Sequence, residues 1–167
     1  MPKNWFERLV YAFITVFITV HFFVWYCLSI EMGGMSMKVI EAGYSTSFWI
    51  LPIPVVVLEI FIALFCAYFI GTPVAHIWAS KKLDFKKATP FEIHNVMVSN
   101  TVTIMCPLMS FIAVILYNVI PVEHITFGEF ICKYMQTVVQ NYPFAYFSQM
   151  FFIQPFVGKV FRFLFKK

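Results

Sequence analysis

The stretch Leu9–Ile30 reads LVYAFITVFITVHFFVWYCLSI and contains no lysine, arginine, aspartate or glutamate. These 22 residues, wound as an α-helix, reach about 33 Å, and the hydrocarbon core of a bilayer is about 30 Å thick. The run is continuously apolar rather than alternating, so it reads as a membrane-crossing helix and not as a strand. Three more stretches follow the same pattern: about Phe48–Ala79, about Asn95–Ile120 and about Phe130–Val157. A four-strand barrel cannot close in a membrane, which leaves helices. The fold class expected is an all-α membrane protein of four transmembrane helices.

Composition points the same way. Of 167 residues, 61% are hydrophobic and 12% charged, against about 45–50% and about 25% in soluble domains. A soluble fold of this size cannot hide so much apolar surface. The net charge of +4 does not predict a nucleic-acid partner, because the basic residues sit in short flanks beside apolar runs. Cys27, Cys66, Cys106 and Cys132 form no CxxC pair, so no disulfide framework, metal or other cofactor is expected. A cleavable signal peptide is not expected, since the first apolar run is too long and no small-x-small site follows it. The thioethers of Met32, Met35 and Met37 beside Gly33-Gly34 are chemically suited to Cu(I), but a flexible apolar loop lying on the interface is the simpler expectation.

Lysine and arginine set the orientation. Lys3 and Arg8 precede the first helix, Lys81, Lys82, Lys86 and Lys87 lie between the second and third, and Lys159, Arg162, Lys166 and Lys167 follow the fourth. The opposite loops carry Lys38 and Lys133, with Glu31, Glu41, Glu123 and Glu129. Both termini are therefore expected on the cytoplasmic side. The tryptophans Trp5, Trp25, Trp49 and Trp78 fall near the interfaces and read as belt anchors. His76, His94 and His124 read as headgroup-level or solvated.

The two halves repeat one another. Trp5-Phe6-Glu7 enters the first helix and Pro90-Phe91-Glu92 the third. Gly71-Thr72-Pro73 with Lys81-Lys82 ends the second, and Ile153-Gln154-Pro155 with Lys166-Lys167 ends the fourth. One membrane domain over residues 1–167 is expected, with repeat one at about 1–83 and repeat two at about 84–167. The copies run parallel about an axis along the membrane normal.

On these residues the chain resembles an uncharacterised bacterial family of tandem two-helix membrane domains. It carries that family's Phe-Glu entry, its Ser/Thr/Asn/Met-rich odd helix and its proline-ended, basic-tailed even helix. In architecture it is more distantly similar to the proteobacterial antimicrobial compound efflux transporters, which also have two tandem helix pairs. That resemblance implies transport across a bacterial cytoplasmic membrane. The efflux family's glutamate in helix one and its Trp-Asn motifs are absent here, and helix one offers His21 instead.

Ionisable groups within a membrane are costly and are candidates for function. Glu59 lies near the middle of the second apolar stretch and His21 near the middle of the first. Similar depth on consecutive antiparallel helices makes them natural partners for binding a cation or passing protons. The alternative for each is a neutral, hydrogen-bonded packing role. In the repeat, Glu59 aligns with Asn141 and His21 with Cys106. Around Asn141 lie Gln136, Gln140, Tyr146, Ser148 and Gln149, while Asn100, Thr101 and Thr103 give the third helix a polar band. Thr15 and Thr19 do the same for the first. Hydrogen bonding between helices accounts for most such groups, and the amides of the fourth helix exceed what packing needs. Pro52 and Pro54 lie near the outer end of helix two, and Pro107 and Pro143 lie in the middles of helices three and four, where each frees a backbone carbonyl.

The function expected is a small, proton-linked secondary transporter, not an enzyme. It would move a small solute, cationic or aromatic, with His21, Glu59, Asn100, Gln140, Asn141, Tyr146 and Gln149 as proton-coupling or substrate-binding residues. Its partners would be the lipid bilayer, the substrate and a second copy in a homodimer. The alternatives are a structural or accessory subunit and a small channel.

Overall fold

A computed structural model of the chain describes residues 4–45, 52–116 and 125–165. Lys3, Trp49, Glu123, His124, Lys166 and Lys167 lie outside the described residues. Every element among them is helical: α1 Trp5–Glu31, α2 Met37–Ser45, α3 Val55–Cys66, α4 Thr72–Lys82, α5 Pro90–Val114, α6 Phe127–Phe147 and α7 Gln154–Leu164. Two π-helical turns, Ala67–Gly71 and Ser148–Ile153, join α3 to α4 and α6 to α7.

Among the described residues, three helices are long and apolar enough to cross a membrane: Trp5–Ile30, Val55–Lys82 and Pro90–Val114. The stretch expected to supply a fourth is helical from Phe127 to Leu164. It is less apolar than the other three because Lys133, Gln136, Gln140, Asn141 and Gln149 interrupt it.

Local sequence explains the helix ends. Thr89 and Thr126 each cap a helix in a reciprocal box: the hydroxyl accepts from the backbone N–H of Glu92 or Glu129, whose carboxylate accepts from the threonine backbone N–H. Pro54 precedes the first turn of α3, which begins at Val55; Phe48, the expected start of the second stretch, lies outside the described residues. Pro73 and Pro155 stand at the second helical position after each π turn. A proline lacks the N–H for the carbonyl four residues back and its ring crowds that carbonyl. The helix relaxes by widening to the i→i+5 pattern, which accounts for both π turns.

The segment after Gly33-Gly34 is not a loop. Met37–Ser45 forms α2, the one element that the sequence pattern did not announce. It is too short to be stable alone and is held by contact, with Val39 and Gly43 buried one turn apart. The Gly33 and Gly34 φ angles of 74° and 149° turn the chain between α1 and α2, where only glycine is unstrained.

The chain divides into two compact units at the π turns: Met1–Tyr68 with Ile153–Lys167, and Phe69–Phe152. In the first, α1 packs against α2, α3 and α7. Trp5 donates its indole N–H to Tyr68 at 2.8 Å, and Tyr11 donates its hydroxyl to Gln154 Oε1 at 2.7 Å. In the second, α5 packs against α4 and α6. Each even helix thus changes partner as it passes its π turn. Helix two leaves α1 for α5, and helix four leaves α5 for α1. The buried positions after the turns repeat in register: Gly71, Ala75 and Ala79 face α5, while Ile153, Val157 and Phe161 belong to the unit of α1. Small residues at four-residue spacing let α4 and α5 approach closely, which is how helices associate when lipid removes the hydrophobic drive.

Candidate functional site

His21 is buried on α1, 8% exposed. Its Nδ1 lies 2.6 Å from the backbone carbonyl oxygen of Phe17. A carbonyl only accepts, so Nδ1 carries the proton and Nε2 is left as the basic nitrogen. A backbone carbonyl holding one ring nitrogen is a common way to aim the other. Aromatic rings surround the imidazole: Phe17 at 4.4 Å, Trp25 at 5.6 Å edge-on and Tyr44 at 5.8 Å. Phe17, His21 and Trp25 recur every four residues and share one face of α1. Tyr44 arrives from α2, which Gly43 seats against Val24, Trp25 and Val56.

Trp25 differs from its expected role as a belt anchor. It is half-buried and its indole Nε1 is fully buried without a hydrogen-bond partner. An indole N–H in such a place normally finds an acceptor. Tyr44 was not foreseen at all, because nothing in its local sequence marks α2 as an element that returns to the first helix.

Glu59 is half-buried on α3, the helix packed against α1, and does not stand alone. The contacts of His21 go to its own helix and to α2.

In the second unit Asn100 is buried and joins two helices. Its side-chain N–H donates to the Ala75 carbonyl at 3.3 Å, and its Oδ1 accepts from Lys82 Nζ at 3.2 Å. Thr103 and Tyr142 share a hydroxyl contact of 3.0 Å between α5 and α6. Asn141 is buried on α6, Tyr146 is half-buried with its ring edge against Phe147, and Gln149 is half-buried in the π turn. Gln140 is exposed on α6, as is Gln136.

The expected residues therefore separate by unit. His21 and Glu59 belong to the first, and Asn100, Gln140, Asn141, Tyr146 and Gln149 to the second. Thr15, Thr19, Thr101, Thr103 and Thr137 each donate to a carbonyl four residues earlier. These bonds stay within their own helices, and Thr103 also reaches a second helix, through Tyr142. Among the described residues no three histidine, cysteine or acidic side chains gather as metal ligands would.

The chain matches no known family, no curated protein and no solved structure.

Proposed function

We propose that the chain is a small secondary transporter of a bacterial cytoplasmic membrane and that His21 is its proton-coupling group. One observation carries this reading. A buried imidazole on a membrane-length helix has one nitrogen fixed to a carbonyl and the other left basic, among aromatic rings that favour a cation. Ionisable groups held within a membrane are costly and mark function more often than packing.

Duplication supports the same reading. Four spans with both termini inside follow if Phe127–Leu164 crosses as well, and two parallel hairpins then make one protein. The π turn, the following proline and the three buried positions recur in both even helices. Trp25 Nε1 and Ser110 Oγ, the buried side-chain polar atoms without a hydrogen-bond partner among the described residues, stand 85 residues apart by their numbering (110 − 25). That offset also carries Phe6 onto Phe91 and His21 onto Cys106. Both odd helices keep a polar group one turn outward of the same position. In this reading the copy with His21 and Glu59 handles the proton, and the copy with Cys106 and Asn141 does not.

The test has two stages. A thermal-shift screen of small organic solutes, cationic and aromatic ones first, identifies a ligand. Its flux is then followed in proteoliposomes with an imposed pH gradient. His21→Ala and Glu59→Gln should lower gradient-driven flux by roughly 5- to 150-fold, the span of an ordinary coupling free energy, while ligand exchange without a gradient persists. Wild-type gradient-driven flux in both variants would sink the coupling role.

A further inference from the structure

The loop that joins α4 to α5 holds Lys81, Lys82, Lys86 and Lys87 within seven residues, with Asp84 as the one acid between Ser80 and Phe91. It connects Val55–Lys82 to Pro90–Val114, two of the helices able to cross a membrane, and so comes to the surface of a bilayer. The loop is folded on itself. The Asp84 carboxylate accepts from the Lys86 N–H at 3.1 Å, and the Asp84 carbonyl accepts from the N–H groups of Lys87 and Ala88, each at 2.9 Å. Phe85 returns to α4 and stacks on His76, with ring centres 5.3 Å apart. Residues 80–86 thereby line an open hollow. Lys82 is drawn to Asn100. Lys81 and Lys86 line the hollow, Lys87 follows, and all three are exposed. Asp84 is occupied in holding the turn and Glu92 in capping α5. The helix dipole accounts for lysines in the last turn of α4, but not for Lys86 and Lys87, which lie beyond it. Deeper along the helix the surface turns apolar. Ile77 and Trp78 are exposed on α4, one turn before Lys81, and share its face.

We propose that this loop binds the headgroup phosphate of an anionic phospholipid, with Lys81, Lys86 and Lys87 as the cations and Ile77 and Trp78 beside the acyl chains. The order of the side chains selects lipid over a soluble phosphate. Charge at the surface and apolar groups one turn deeper match a single molecule that carries both. A lysine beside a membrane helix favours anionic lipid by about fivefold. The Asp84 turn adds position to that charge, because it holds Lys86 and Lys87 on the same side of the chain reversal as Lys81. This inference rests on the two helices entering a membrane and not on the transport reading.

Trp78 reports the contact. The full chain is reconstituted in vesicles of phosphatidylcholine with a minor share of phosphatidylglycerol, and one lipid or the other carries bromine near the head of its acyl chains. The Trp78 signal is the difference between the parent and Trp78→Phe. Brominated phosphatidylglycerol should quench it more than brominated phosphatidylcholine at equal content. Lys81→Gln, Lys86→Gln and Lys87→Gln together should lower that preference by about tenfold or more, with helical circular dichroism unchanged. Lys81→Arg, Lys86→Arg and Lys87→Arg together should keep it. Lys159→Gln with Arg162→Gln, a basic pair outside the loop, should leave it as in the parent. Asp84→Asn and Asp84→Ala separate a folded site from diffuse charge. Both lose the same charge, but only asparagine can still accept from the Lys86 N–H, so Asp84→Asn should hold the lipid more tightly than Asp84→Ala. Inorganic phosphate should displace the lipid no better than chloride at equal ionic strength. The inference is overturned if the parent shows no preference, if the preference survives the triple glutamine variant, or if the two Asp84 variants match. Displacement specific to inorganic phosphate would also overturn it, since the site would then be one for a soluble anion.

Discussion

Asn100 is the residue on which the second unit turns. It bridges the Ala75 carbonyl and Lys82 where α4 comes closest to α5. Asn100→Ala should lower stability by about 1–3 kcal/mol, the cost of leaving a buried partner unsatisfied. Chemical unfolding in detergent, followed by circular dichroism, checks the size of the loss, and an unchanged midpoint would show that the bridge holds nothing. Residues of this kind were visible in the sequence as polar letters in apolar runs, but their partners were not. Asn100 and His21 both stood out. The first clamps α5 to α4 through the Ala75 carbonyl, while the second meets a carbonyl of its own helix. Trp25 shows the same limit: nothing in its own stretch reveals that Gly43 of α2 comes to lie beside its ring.

The capping boxes at the starts of α5 and α6 show an element specified by four residues. The Thr-x-x-Glu spacing stands in the sequence but is no part of a reading that starts these stretches at about Asn95 and about Phe130, and the structure closes both reciprocal pairs. The backbone N–H of Thr126, and then its hydroxyl, hold the Glu129 carboxyl below the usual glutamate value. A carboxylate whose pKa is depressed by folding stabilises the native state above its unfolded value, about 4.3. That contribution is lost as pH falls through the lower native value. Acidification below about pH 4 should therefore loosen the first turn of α6 in the parent. Glu129→Gln, which cannot ionise, should begin with a weaker cap and show less change over the same window. Hydrogen exchange at residues 127–130 measures both, and identical pH profiles would refute the assignment. α2 is the opposite case. Its nine residues have no cap box and a mixed composition, and its helix exists because Gly43 fits against Val24, Trp25 and Val56. Tertiary contact made that element, so reading along the chain could not find it.

At the scale of the molecule, the long apolar runs made the helical membrane class plain, but the exchange of partners was hidden. Hydropathy tells which segments enter lipid and is silent on which neighbour each one meets. The signal was present in part, since Pro73 and Pro155 mark the places where the helices widen and change partner. The exchange has a consequence for the two halves. A self-sufficient hairpin would pair α1 with the whole of helix two. Here residues 72–82 pack on α5 and residues 154–164 on α1, so each unit needs chain from both halves. Residues 1–83 alone would leave the Gly71-Ala75-Ala79 face and the α7 side of α1 uncovered. The same holds for residues 84–167 with Val157 and Phe161. The expected outcome is that neither half accumulates when expressed alone. Co-expressed, they should co-purify as a one-to-one complex with a melting temperature near that of the intact chain, because the cut falls in the exposed loop after Lys82 and severs no packed helix. Two halves that are each stable alone, with no tendency to co-purify, would mean that the partner exchange at the π turns is not how this chain folds.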